Sequence, residues 1–322
     1  MSEPFYRIET SIPVSEIDVE DQTYRITTRP CTEDLANSIL QSGVINAPII
    51  FGEAPGFTII SGFRRIDACR TLGMTRIDAR IILPEISEAV LAHIAITENS
   101  FQRPLNLIEQ SRCMALLARW HQTPEEMSIA ASRLGLPSHP NMVSKLEKLI
   151  GLPKQVQDAI CSDMVSLPIA TLLLQVEPAT AVGFTNLFVQ LKLGVNHQRE
   201  ILELTREIAL RENISMDEVL SGADWAHFRD DPDMDKGLKM QKLMSYLKNR
   251  RYPEKSAMED EFREHVKRLK LGNGVFLKHP KDFEGRTFSL IFHFDNLNLL
   301  KEKSPVLDKI VNDHYLKNLI EN

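Results

Sequence analysis

From Ile12 to Leu83 short apolar runs alternate with helical spacing. Ile12 to Ile17, Ala47 to Phe51, Phe57 to Ile60 and Ile77 to Leu83 read as strands, rich in β-branched and aromatic residues and bounded by turn formers. Between them, Glu33 to Gln41 sets Leu35, Ile39 and Leu40 on one face of a helix that Gly43 stops. Pro48 opens the next strand, and Ile66 to Leu72 has helical spacing. The pattern predicts a small α+β domain.

Beyond Ser87 the spacing becomes helical and stays so. Ser87 to Ile96, Leu105 to Trp120, Pro124 to Leu134, Asn141 to Ile150, Lys154 to Ser162, Pro168 to Gln175, Ala179 to Lys192 and Gln198 to Glu212 carry apolar residues three and four apart, punctuated by Pro or Gly. The acidic stretch Ser221 to Gly237 reads as a linker. After it, Leu238 to Arg250 and Ser256 to Leu269 read as helices. Gly274 to Lys278 and Arg286 to Phe294 follow as strands around a turn over Lys281 to Gly285, and Pro305 to Leu319 is a last helix. The expected class is α+β, mostly helical: an N-terminal mixed domain over 1–86, an all-α domain over 87–220, a linker over 221–237, and a small α/β unit over 238–322.

Composition narrows the class. With 322 residues, 43% of them hydrophobic, the chain is long enough for two or three cores. Its most apolar runs, such as Leu167 to Val176, are short and broken by Pro168 and Gln175, so no membrane span is expected. Met1 to Pro4 lacks the basic and then apolar pattern of an export signal, which predicts a cytoplasmic protein. Cys31, Cys69, Cys113 and Cys161 lie far apart, in no ligand spacing, and are expected reduced and mostly buried. His121, His139 and His197 likewise have no partner at ligand spacing. A net charge of −6 argues against indiscriminate nucleic-acid binding through bulk charge. Any DNA contact must be local, and Ser61 to Ile150, with eleven Arg/Lys against nine Asp/Glu, is a weakly positive island.

Two segments carry candidate chemistry. Ser61-Gly62-Phe63-Arg64-Arg65 follows a strand and opens a helix, which puts two guanidinium groups and free backbone amides where a phosphate would sit. Glu98-Asn99-Ser100-Phe101-Gln102-Arg103 places a carboxylate and an amide just before another helix, beside a third arginine. That is the composition of a site for Mg2+ and a triphosphate. Either segment alone is also ordinary solvated surface.

A third element points to DNA. Pro124 to Leu134, the turn Gly135 to Pro140, and Asn141 to Ile150, closed by Gly151-Leu152-Pro153, have a helix-turn-helix outline with a turn longer than usual. Ser138 or His139 suits the cap and Pro140 the first helical position. Met142, Leu146, Leu149 and Ile150 are expected in the core. Asn141, Ser144, Lys145 and Lys148, with Ser138 before them, are left to reach base edges and phosphates.

In this order the blocks resemble the ParB family of DNA partition proteins, with its ParB/sulfiredoxin-like N-terminal domain. Leu35-Ala36-Asn37-Ser38-Ile39 with Ser42-Gly43-Val44 and Pro48-Ile49 looks like the family's first box. Gly62-Phe63-Arg64-Arg65 with Ala68 looks like its Gly-Glu-Arg-Arg box. Glu98-Asn99 and Leu105-Asn106-Leu107-Ile108-Glu109 are similar to its Glu-Asn box and the segment that trails it. The resemblance covers roughly Ile12 to Ile208. It implies a nucleoid-associated homodimer that binds CTP with Mg2+, closes into a clamp on double-stranded DNA, and works with a ParA-type ATPase. By position it places Gly62, Arg64 and Arg65 on the triphosphate, Glu98 and Asn99 at the metal, and Arg103 as a further phosphate contact.

The chain departs from the family at two points. Phe63 stands where the family has a glutamate that assists hydrolysis, so at most a weak CTPase is implied. Gln102 occupies the usual arginine position, and Arg103 follows one residue late, about 100 degrees further round if helical. A rival reading is a ParB-like transcriptional regulator of a mobile element that does not hydrolyse nucleotide. A third, an enzyme of the sulfiredoxin or free-serine kinase kind, is weakened because Cys69 lies outside the turn. The carboxylates do not cluster as a two-metal nuclease requires. For the C-terminal unit two readings stand, the family's dimerisation domain or a subdomain capping its own chain. Of the remaining residues, Trp120 is expected as a core anchor, Phe288, Phe292 and Phe294 as an apolar sheet face, and Lys248 to Tyr252 as a solvated helix end.

Overall fold

The computed structural model describes residues 6–280, 283 and 287–321. The chain divides into two compact units, Met1–Arg199 and Glu200–Asn322. In the first, β1 (Tyr6–Pro13), β2 (Ile17–Asp18), β3 (Ile49–Phe51), β4 (Phe57–Ser61) and β5 (Arg76–Ile82) form a mixed sheet in the order β1-β5-β3-β4-β2. β5 runs antiparallel to β1 and parallel to β3, while β4 is antiparallel to β3 and parallel to β2.

Both faces of this sheet are covered, which is why its central strands are apolar at successive positions. Ile50, Ile59 and Ile81 join Ala36 and Ile39 of α1 (Glu33–Ser42) and Phe63, Ile66, Ala68 and Cys69 of α2 (Phe63–Thr71) in one core. Their neighbours Ile49, Ile60 and Ile82 point the other way and are also buried. α3 (Glu88–Ser100) packs against β4 with Leu91, Ala92, Ala95 and Ile96 buried.

The first unit continues as α4 (Leu107–Leu117), α5 (Pro124–Arg133), α6 (Pro140–Leu149), α7 (Lys154–Cys161), α8 (Leu167–Leu173), α9 (Pro178–Leu191) and the start of α10 (Val195–Glu212). Capping boxes at Asn106/Glu109 and Thr123/Glu126 fix where α4 and α5 begin.

Several expectations need correction here. The first strand begins at Tyr6, not Ile12. It is an edge strand, and its exposed Arg7 and Ile8 disguise the alternation. On α1, Leu40 is exposed and Ala36 takes its place in the core. α3 runs through Ser100 instead of ending at Ile96, so Glu98 and Asn99 lie in its last turn, still ahead of α4. Trp120, beyond the end of α4, is 37% exposed and anchors no core.

In the second unit, α10 is followed by α11 (Met216–Leu220), α12 (Ala223–Arg229), α13 (Lys236–Arg251), α14 (Pro253–Leu269), the antiparallel pair β6 (Val275–Lys278) and β7 (Ser289–Phe292), α15 (Leu297–Val311) and α16 (His314–Glu321). The stretch expected as a linker over 221–237 carries α12, whose Trp225 is buried at 1% exposure and which packs on α13. The expected last helix starts earlier and breaks in two, with Pro305 inside α15. The expected turn over 281–285, apart from Phe283, and Arg286 lie outside the described residues, as do Met1 to Pro4. In the basic run Lys248, Asn249 and Tyr252 are exposed, as expected of a helix end, and Lys248, Arg250 and Arg251 pair with Glu200 at 2.8 Å, Glu212 at 2.6 Å and Glu207 at 2.5 Å.

Candidate functional site

The connection from β4 to α2 turns at Gly62, which caps α2 with φ +96°. A Cβ there would lie 2.7 Å from Pro48 Cβ and 2.9 Å from Pro48 Cα, so glycine is required twice, by conformation and by space. The tight turn lets Arg64 and Arg65 leave the first turn of the helix on the side of a cleft of about 200 Å³. All six residues expected at a nucleotide, Gly62, Arg64, Arg65, Glu98, Asn99 and Arg103, line this cleft.

Their hydrogen bonding separates held groups from free ones. Arg64 donates its Nε to the Pro30 carbonyl at 3.0 Å, and Asn99 donates its Nδ2 to the Ala95 carbonyl at 2.8 Å. The Asn99 Oδ1, the Glu98 carboxylate and the Arg65 guanidinium have no hydrogen-bond partner among the described residues. Burial lowers the Arg65 pKa; Glu98 pulls the other way, and Arg80 and Arg64 add to the lowering. A half-buried cation crowded by two others is a site short of negative charge.

Arg103 is differently disposed. Its Nη1 and Nη2 each lie 2.7 Å from a Glu109 carboxylate oxygen, so the guanidinium that the resemblance offered to phosphate is clamped to a buried acid. Glu109 also accepts from the Thr28 amide at 3.0 Å and the Asn106 amide at 3.1 Å. Burial pushes its carboxyl up, but the bonds from Arg103, Thr28 and Asn106 outweigh it and hold the pKa at about 2. Nearby, Arg112 Nη1 donates to the carbonyls of Arg25, Ile26 and Thr27, the last at 2.8 Å. Together Glu109 and Arg112 pin a segment that has no regular structure against α4. That is how Ile26 and Thr27 come to form a wall of the cleft.

Sequence reasoning missed Ile26 and Thr27 as lining residues; Ser61 and Leu35 stood in the segments it singled out but were given no contact. Nothing in the pattern around Ile26 marked it, since its position is set by side chains distant in sequence. Gln102, noted for occupying the usual arginine position, lines the cleft as well. Phe63 is 5% exposed, packed in the core of the mixed domain with the Arg25 guanidinium 5.5 Å from its ring centroid.

At the helix-turn-helix, His139 caps α6, its Nδ1 accepting from the Asn141 amide at 3.3 Å, and Pro140 takes the first position. The turn is closed by Ser128 Oγ donating to the Ser138 carbonyl. The core face is Val143, Leu146 and Leu149; Met142 and Ile150, expected inside, are 36% and 38% exposed. Ser138, Asn141, Lys145 and Lys148 are exposed and Ser144 half-buried.

Residues 5–100 match the family model of the ParB N-terminal domain. Stage 0 sporulation protein J of Bacillus subtilis is 31% identical over 135 residues, 42% of this chain and 45% of that protein. The N-terminal domain is thus a ParB N-terminal domain. A probable chromosome-partitioning protein ParB of Helicobacter pylori is 25% identical over 195 residues, 60% of this chain and 63% of its own length. The chain thus matches about half the length of these ParB relatives. Among solved structures, a C-terminally truncated ParB from Caulobacter crescentus complexed with CTP-gamma-S is 22% identical, covering 57% of this chain and 99% of that one at a TM-score of 0.26. The mostly helical class with a mixed ParB N-terminal domain is the one expected from the sequence. No helix among the described residues is long and apolar enough to cross a membrane.

Proposed function

We propose that this chain is a sequence-specific DNA-binding protein of partition type. Its N-terminal domain takes CTP with Mg2+, and its helix-turn-helix grips duplex DNA on the nucleoid. The observation that carries the reading is the convergence in one cleft of an unpaired, half-buried Arg65, the Gly62 turn, and the unpaired oxygens of Glu98 and Asn99. An anionic ligand would relieve the crowding of Arg65 by Arg64 and Arg80.

The donor set suits the metal. Mg2+ takes few protein oxygens and keeps water and phosphate in its shell, and Glu98 with Asn99 Oδ1 supplies one carboxylate and one amide oxygen. When bound, it would neutralise phosphate charge that the arginines leave uncompensated. The chain's own residues bind and orient: Arg65 matches phosphate oxygens in a fork geometry, Arg64 is aimed by Pro30, and Ile26 and Thr27 wall the site. Phe63 offers no proton acceptor at the turn, so the site is a binding site first and at most a weak CTPase.

Thermal unfolding tests this. CTP with Mg2+ at a hundredfold over Kd stabilises the native state by about 2.7 kcal/mol, a rise of a few degrees in Tm. Arg65→Ala is expected to abolish the rise while leaving the apo Tm within a degree or two. The buried Phe63 favours one second reading, a ParB-like regulator that binds DNA without nucleotide turnover. Absence of any shift with any nucleotide would put that reading ahead.

A further inference from the structure

A second cationic cleft lies in the same unit, outside the nucleotide site. It has a volume of about 330 Å³ and is lined by Gln22, Thr23, Arg25, Arg112, Arg119 and Ile150, with Ala115 and Leu116 of α4 between them. No carboxylate lines it. Arg25 is already matched, its Nη2 3.1 Å from Asp67 and its Nη1 3.1 Å from Gln22 Oε1. Arg112 is held by a single nitrogen on the three backbone carbonyls, so its Nη2 and Nε are unspent. The side chain of Arg119, exposed just past the end of α4, makes no hydrogen bond among the described residues. Asp21, on which the charge of Arg119 acts, is occupied by Thr23 and Thr58. The cleft therefore carries a surplus of two guanidinium groups with unspent donors in a fixed frame. Burial lowers the Arg112 pKa and Arg25 adds to it, while Cys161, Glu109 and Asp158 pull the other way.

The rim of the cleft says which anion fits. Ile150, the C-cap of α6, forms one edge, two residues after Lys148, and α4 packs along α6. We propose that Arg112 and Arg119 form a clamp for a backbone phosphodiester of the duplex held by α5 and α6, a contact outside the helix-turn-helix itself. The inference rests on the DNA-binding reading above. Guanidinium forks match phosphate oxygens bidentately, and contacts of this kind fix register without reading bases. A contact on α4, which packs along α6, would help set the angle at which α6 enters the groove.

The test is the salt dependence of duplex binding by the full chain, read by fluorescence anisotropy on a duplex selected from a random pool. Each phosphate neutralised contributes about −0.9 to the slope of log K against log salt. Arg119→Ala is expected to make the slope shallower by about that amount, equally on selected and unrelated duplexes. Arg119→Lys, which keeps the charge, restores it. Arg70→Ala, which removes the same charge from the exposed end of α2, leaves it unchanged. Lys145→Ala with Lys148→Ala serves as the arm for the reading beneath. Wild-type slope in Arg119→Ala, with Lys145→Ala and Lys148→Ala weakening binding, overturns the clamp and spares the DNA reading. No duplex binding by the wild-type chain sinks both. Arg112→Ala disturbs the segment it pins, so the outcome is read on Arg119. If pyrophosphate alone raises Tm in an Arg119-dependent way and the duplex slope does not move, the site takes a free anion and the duplex clamp is wrong.

Discussion

Glu109 has 0% of its side chain exposed and accepts five hydrogen bonds, two from Arg103, two from Thr28 and one from Asn106. Its carboxyl titrates at about 2 in the fold against about 4.5 in an unfolded chain. A carboxylate depressed in this way contributes stability that is complete above pH 4.5 and is lost as pH falls from there towards 2. The span corresponds to roughly 3 kcal/mol at 1.36 kcal/mol per pH unit. Glu109→Gln is therefore expected to cost about 3 to 5 kcal/mol near neutrality, since it leaves Arg103 facing an uncharged amide in a buried pair. It should also flatten the acid limb of a stability profile measured by urea unfolding from pH 7 to pH 3. An unchanged limb would mean that Glu109 is not the titrating group. The sequence carries Glu109 within a recognisable box, but its role was not legible there. Thr28 lies 81 residues away, and no periodicity links an irregular segment to a helix start. Gly62, by contrast, was legible, because a glycine between a strand and two arginines has few other uses.

At the scale of elements, the helices whose starts are set by local chemistry were readable to within a residue. α5 begins at Pro124 behind a Thr123/Glu126 box and α6 at Pro140 behind His139. What patterning failed to find was α12, because the acids at Asp230, Asp231, Asp233 and Asp235, with glycines at both ends of the stretch, have the composition of a linker. Trp225 decides the matter: its side chain is buried at 1% exposure in the second unit. Trp225→Ala is expected to cost about 3 to 5 kcal/mol of that unit's stability, the usual penalty for emptying a large aromatic site. In a true linker the change would stay within about 0.5 kcal/mol. Two resolved transitions in guanidinium unfolding would assign the loss to its unit. The same packing explains the basic run after it. Lys248, Arg250 and Arg251 each pair with an acid of α10.

For the whole molecule the open matter is what closes the second unit. Its core gathers Phe262, Leu269, Leu271, Val275 and Leu316 around a sheet of only two strands, which is marginal without further support. α15 turns Val306 and Ile310 inward and carries a second apolar row, Leu297, Leu300, Leu307 and Val311, spaced by three, seven and four residues. Leu297 and Val311 are 71% and 68% exposed, Leu307 is 46% exposed, and Phe276 of β6 is 47% exposed. If this row packs against the same row of a second copy of the chain, the two helices are related by a two-fold axis. On the reading proposed above, a dimer through α15 would give a clamp on DNA its second arm. Sedimentation of the full chain at micromolar concentration is expected to give a dimer. Leu307→Asp combined with Val311→Asp, both exposed and so neutral to the monomer fold, should yield a monomer with an unchanged circular dichroism spectrum. Because avidity depends on two linked duplex-binding arms, the same pair should weaken duplex binding by ten-fold or more while leaving the CTP-induced rise in Tm of the N-terminal domain intact. A double variant that remains dimeric would move the interface elsewhere, and a wild-type monomer at all concentrations would leave the clamp without a second arm.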